Sequence, residues 1–193
     1  MIREIRQSVP DIGYSVSYTT RAKRFGEEDG RDYFFVSREE FQKLLDKGEL
    51  LEYAEVHGNM YGTSREQIEQ ITNEGRDVIL EIDVQGAMSV LEKAPEALSI
   101  FILPPSFEVL KARLTARNTE DAADLALRLR NSYGEVMEYG RFKYVVVNEE
   151  LPVAARQLSS IILAERQKRD RQTDAVQYIL NSFAQAKETS SGE

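Results

Sequence analysis

The chain has 193 residues, a net charge of −8, no cysteine and one histidine. That length suits one soluble domain with a real core, and the acidic balance argues against a nucleic-acid coat or an anionic membrane surface. The absence of cysteine excludes disulfides and thiolate metal sites, and His57 cannot build a metal cluster unaided. No apolar run approaches the roughly 20 residues of a membrane span, and residues 1–10 lack a signal-peptide core. The expectation is a cytoplasmic protein without nucleic-acid or membrane partners, either a monomer or a homo-oligomer.

Residues 1–9 (MIREIRQSV) carry Ile2, Ile5 and Val9 on one helical stripe. Residues 14–75 read as a small α+β lobe: short half-polar strands at 33–36 and 50–56 flank a helix over 38–47. Ser37 and Glu40 form a capping box at its start, and Gly48 stops it. Three short apolar runs follow, DVILEID (77–83), LSIFIL (98–103) and KYVVV (143–147), without the alternation of a half-exposed strand. They predict buried parallel strands. Between them lie a helix over 84–94 and another over 106–116, capped by Ser106 after Pro104-Pro105. Strand and helix in alternation predict an α/β fold with a parallel sheet, residues 1–13 and 76–193 forming the body around the 14–75 lobe.

Residues 119–139 are charged and helical in pattern; the reading is open between a lid and a solvated surface helix. A long helix over 152–170 and an amphipathic segment with Val176, Ile179, Leu180 and Phe183 close the chain. That stripe is expected to pack on the body, a dimer contact being the alternative, and the KETSSGE end is expected to be disordered.

Candidate chemistry centres on arginines and carboxylates. TTRAKR sets Arg21 and Arg24 three apart, and Tyr33 and Tyr61 add hydroxyl donors. A guanidinium fork matches a phosphate dianion. Glu81 and Asp83 end an apolar strand, where a carboxylate can meet a hydrated metal ion.

In order along the chain, SVSYTTR, YFFVSREEF, LLEYAEVHGNMYGT and VILEIDVQG resemble guanylate kinase, from Met1 to about Arg169. The resemblance implies a P-loop nucleoside-monophosphate-kinase fold with an inserted GMP-binding lobe (14–75) and a helical lid (116–138). It implies ATP-dependent phosphorylation of GMP and dGMP to GDP in purine nucleotide metabolism, with Mg²⁺ accompanying ATP. Arg21, Arg24, Tyr33 and Tyr61 would hold the 5′-phosphate of GMP. Glu52 would accept from guanine N1–H and the N2 amine, Ser17 and Thr63 would read the rest of the base edge, and Asp83 would touch base and ribose or a magnesium-bound water. Arg113, Arg117 and Asn148 would contact the donor nucleotide, and Arg117, Arg128 and Arg21 would serve catalysis. RLTARNT has Asn118 where the family usually has glycine, a residue that tolerates left-handed backbone.

The 193 residues contain no Gly-x-x-x-x-Gly-Lys-Ser/Thr loop for ATP phosphates; Gly26, Gly30, Gly58 and Gly62 all belong to the acceptor lobe. By the resemblance, that loop and the central strand before it would lie upstream of Met1. The expectations are therefore an N-terminally truncated or mis-started guanylate kinase, a truncated inactive chain, or a guanylate-kinase-like module that binds GMP or a phosphorylated protein segment. A P-loop kinase for another acceptor is a further alternative, though it would not need Glu52.

Overall fold

A computed structural model describes residues 1–117 and 122–190; the side chains of 117, 122–124 and 188–190 lie outside the description. The helix α1 (Ile2–Ser8) leads into strand β1 (Ile12–Tyr14), and β2 (Tyr18–Thr19), β3 (Phe34–Phe35) and α2 (Arg38–Asp46) follow. Ser37 Oγ accepts from the Glu40 amide while the Glu40 carboxylate accepts from the Ser37 amide, so α2 begins with the anticipated capping box. Its Phe41 is fully buried. Then come β4 (Leu50–Val56), β5 (Asn59–Ser64), α3 (Arg65–Asn73) and β6 (Asp77–Ile79).

The β4–β5 hairpin turns on His57 and Gly58, with φ +50° and +76°. Two left-handed residues match the primed turns that suit the twist of a hairpin, and such a turn fixes register. With Val56 opposite Asn59, the ladder runs unbroken to Glu52 opposite Thr63, and the bulge between Glu52 and Leu50 lies beyond that pair. The sheet order is β3-β2-β5-β4, with β2 parallel to β3 and antiparallel to β5.

Helix α4 (Val84–Lys93), strand β7 (Ile100–Leu103), α5 (Phe107–Arg117), α6 (Ala122–Met137), β8 (Tyr144–Val147), α7 (Leu151–Arg166) and α8 (Thr173–Ser190) complete the chain. The parallel pairing anticipated from the apolar runs is present as two ladders, β1 with β6 and β7 with β8, not as one sheet. Among the described residues β6 and β7 do not pair. What unites them is packing: Ile5, Val9, Ile12, Val146, Ala154 and Leu158 form one buried cluster, flanked by Ile79 and Ile100. Arg166 on α7 reinforces it, donating through Nε to Asp77 at 2.7 Å and through Nη2 to the Pro10 carbonyl.

Four expectations are corrected. The 77–83 run is a strand only to Ile79, because β1 ends at Tyr14 and offers no partner beyond the Ser15 amide. The apolar strands are not buried on both faces: Val146 is inward, whereas Val145, Val147 and Ile102 are exposed, since α1 and α7 build the buried cluster on one side. Val176, Ile179, Leu180 and Phe183 do not pack on the body; Phe183 is 72 % exposed. A turn over 167–172, closed by Gln172 Nε2 on the Arg166 carbonyl, separates α8 from α7. Finally, residues 187–190 (KETS) continue α8 rather than forming an irregular tail, while residues 191–193 of that expectation lie outside the described residues.

Candidate functional site

The inner face of β4 carries Leu50, Glu52 and Ala54, alternating with Tyr53 and Glu55 on the outer face. A carboxylate among inward apolar positions is costly unless it is hydrogen-bonded. Glu52 is 3 % exposed, and its Oε1 accepts from Thr63 Oγ1 at 2.5 Å. Burial pushes its pKa up; the Thr63 bond opposes this, the Asp83 charge adds to it, and Lys93 counters it. Ser17 and Thr19, either side of Tyr18, are buried as well. Thr19 Oγ1 donates to the Met60 carbonyl and accepts from the Arg21 amide, which sets where the chain leaves β2.

Asp83 caps α4: its Oδ1 accepts from the Gly86 amide at 3.0 Å. The carboxylate anticipated at the base therefore also has a structural task. At the other end of α4, Lys93 Nζ donates to the Leu51 carbonyl, so the helix is tied to β4 beside Glu52.

A second group gathers around Arg21. Its guanidinium lies 5.3 Å from the Tyr33 ring centroid and 5.8 Å from that of Phe35, and the Tyr33 and Tyr61 rings meet edge to face at 5.9 Å. Glu27 grips Arg21 with both oxygens, Nη2–Oε1 at 2.7 Å and Nη1–Oε2 at 3.1 Å, and Oε2 also accepts from the Arg24 amide. Burial lowers the Arg21 pKa, but Glu27 and the Tyr61 hydroxyl outweigh it and the guanidinium stays charged. Burial would raise the Glu27 carboxyl, yet the Arg21 and Arg24 donors carry it below the usual range. Tyr33 is raised by burial and by the Tyr61 and Glu81 charges. Glu81 also stands 3.5 Å from the Tyr14 hydroxyl, whose pKa burial and Glu81 push up.

The structure thus brings together Arg21, Tyr33 and Tyr61 in one cluster, and Glu52, Thr63 and Asp83 in another. Arg24 joins the first through its backbone. Arg113 and Asn148 meet across two elements: Arg113 Nη1 donates to the Asn148 carbonyl at 2.7 Å and Nη2 to that of Glu149 at 2.8 Å. Arg128 lies on α6. Arg117 ends α5, but its side chain, like Asn118 and residues 119–121 of the lid reading, lies outside the described residues. Among the described residues no three acidic or imidazole groups converge as a metal cage. None of the described helices is long and apolar enough to cross a membrane.

Three contributors escaped sequence reasoning. Glu27 is one acid in the run GEED, and only the turn at Gly26, φ +84°, aims it at Arg21. Gly86 and Tyr14 had no signal in residue type, although Gly86 follows the capping Asp83 by three, the spacing of an N-cap pair.

The family model described as Guanylate kinase matches residues 3–165. The chain is 46 % identical over 177 residues to the guanylate kinase of Thermotoga maritima, covering 92 % of this chain and 86 % of that protein. It is 48 % identical over 169 residues to that of Vibrio cholerae, covering 88 % and 82 %. The crystal structure of guanylate kinase from Anaplasma phagocytophilum superposes with a TM-score of 0.75 at 39 % identity, over 88 % of this chain and 84 % of that one.

Proposed function

The chain belongs to the guanylate kinase family, and on that premise we propose how its residues divide the transfer of a phosphoryl group from ATP to GMP. It is an ATP-dependent nucleoside monophosphate kinase; Mg²⁺ enters with ATP as part of the donor substrate. An oxygen of the GMP 5′-phosphate attacks the γ-phosphorus, the bond to the β–γ bridging oxygen breaks, and GDP and ADP result. Such a reaction asks a protein for positioning and charge neutralisation more than for covalent chemistry.

The observation that carries the reading is the buried Glu52, fixed by Thr63 in the same sheet that presents the Arg21, Tyr33 and Tyr61 cluster. Guanine offers N1–H and the N2 amine side by side, a donor pair that one carboxylate can accept and that adenine lacks. Glu52 is the base reader in this proposal, with Ser17 and Thr63 on the remaining base edge. Arg21, Arg24, Tyr33 and Tyr61 hold the 5′-phosphate. Glu27 takes one proton from each Arg21 Nη and the Ala22 carbonyl takes the other Nη1 proton, which keeps the plane against Tyr33 and Phe35; Nε–H and the second Nη2 proton are the donors assigned to the phosphate.

Asp83 has Oδ1 occupied by its cap; Oδ2 is the atom assigned to the base and ribose side or to a magnesium-bound water. On the donor side, Arg113 braces the Asn148 backbone so that the Asn148 side chain meets the adenine edge, while Arg117 and Arg128 neutralise the transferring phosphoryl. The lobe at 14–75 and the body at 1–13 and 76–193 act as acceptor and donor units, with 116–138 as the lid.

Calorimetric titration of variants tests the division of labour. Arg21→Ala is expected to cost about 1.5 to 3 kcal/mol of binding, as for a charge-assisted hydrogen bond, for GMP and IMP alike. Glu52→Ala is expected to weaken GMP far more than AMP. Unchanged dissociation constants for Arg21→Ala, or equal losses for GMP and AMP in Glu52→Ala, would remove the corresponding role.

A further inference from the structure

Gly86 lies buried in the first turn of α4. A glycine inside a helix costs about 1 kcal/mol relative to alanine. Nothing in its backbone requires one, since Gly86 is absent from the residues with left-handed φ. The requirement comes from its neighbours. A β-carbon at this position would stand 2.6 Å from Glu52 Oε2, 3.2 Å from Glu52 Cδ and 3.2 Å from Asp83 Oδ1. Real side chains do not approach a carboxylate oxygen that closely, so alanine would force the Glu52 carboxylate or the helix to move.

Neither can move freely. Glu52 Oε1 is tied to Thr63 on the neighbouring strand, and Glu52 has Leu50 and Ala54 on the same inward face. The helix is fixed at its start by Asp83 on the Gly86 amide and at its end by Lys93 on the Leu51 carbonyl. The bare Cα of Gly86 therefore forms one wall of the seat in which the carboxylate lies, and Thr63 forms the other.

We propose that Gly86 is a specificity-determining position: by having no side chain it lets α4 close on Glu52 and sets the angle at which that carboxylate faces the base. The inference rests on the reading of Glu52 as the guanine acceptor. Hydrogen bonds weaken steeply as they bend, and a carboxylate serving two adjacent donors has to lie in their plane. Rotating it by the amount a methyl group demands would keep a charge in the pocket while spoiling the paired acceptance. Gly86 acts through Glu52 and does not itself touch the base, so it is a positioning residue.

The test is a cycle of Gly86→Ala, Glu52→Ala and the double variant, each titrated calorimetrically with GMP and AMP. The two ligands share a 5′-phosphate, so their ratio isolates the base. Gly86→Ala is expected to reduce the GMP-to-AMP preference at least about tenfold while AMP affinity stays within about threefold, because the Arg21 cluster is untouched. With Glu52 already removed, adding Gly86→Ala is expected to leave the ratio within about twofold.

An unchanged ratio in Gly86→Ala, equal losses for both ligands, or a further drop in the Glu52→Ala background would overturn the inference. So would a Gly86→Ala chain that fails to fold beside a folded double variant, which would make the contact purely structural. A failure of the underlying reading looks different. There, Glu52→Ala itself would retain the GMP preference, and the Gly86 inference would fall with it; loss of preference in Glu52→Ala with full preference in Gly86→Ala overturns Gly86 alone.

Discussion

Glu52 meets two opposed demands, and their pH dependences have opposite signs. Burial raises its carboxyl above the ordinary glutamate value, so the folded chain holds a proton that the unfolded chain has already lost. Between those two values stability falls as pH rises, because the native state binds more protons than the unfolded one. Guanine recognition needs the ionised form, so GMP affinity is expected to fall as pH drops through the raised value of Glu52. Two measurements check this: urea denaturation of the apo chain, in which the stability advantage of Glu52→Gln over the parent should grow with pH through that window, and GMP titration across the same range. A GMP affinity that is flat there, or a Glu52→Gln advantage that shrinks as pH rises, would contradict the assignment.

At the scale of elements, two features secure α2 in the lobe. The capping box fixes the start of α2, and Ser37→Ala is expected to cost about 1 kcal/mol in chemical denaturation without altering base preference. Phe41→Ala, which empties a fully buried position of the same helix, is expected to cost about 3 to 5 kcal/mol. The first device was legible because a cap is local: Ser37 and Glu40 are three apart and need no tertiary partner. The helices expected over 38–47 and 106–116 were legible from caps of this kind, that over 84–94 from its apolar stripe, each within a residue of the observed bounds, and β4 has the expected bounds 50–56.

What escaped sequence reading depends on distant partners. The 77–83 run has the composition of a long strand, but its length is set by how far β1 runs beside it. The apolar stripe on α8 has the right period for packing, yet period alone does not say whether a partner face exists. Of the candidate site, Arg21, Glu52 and Asp83 were nominated by their surrounding motifs. Glu27 and Gly86, which hold Arg21 and Glu52 in place, were not, because their roles consist of angles and clearances.

For the whole molecule, the cluster of Ile5, Val9, Ile12, Val146, Ala154 and Leu158 joins α1, α7 and both two-stranded ladders, so it carries more of the global stability than either ladder does. Ile5 is completely buried there, and Ile5→Ala is expected to cost about 2 to 5 kcal/mol. A loss within the range of a surface substitution, about 0.5 kcal/mol, would place the core elsewhere.

In the proposed arrangement one sheet bears the guanine-reading Glu52 on β4, and its strand β2 leads directly into the phosphate-binding Arg21. The measurement that tests it most directly is calorimetric titration of the unaltered chain with GMP and AMP in the same buffer. The account predicts GMP bound at least about a hundredfold more tightly, since a buried acceptor left unpaired by the wrong base rejects it strongly. Equal dissociation constants for the two nucleotides would contradict it.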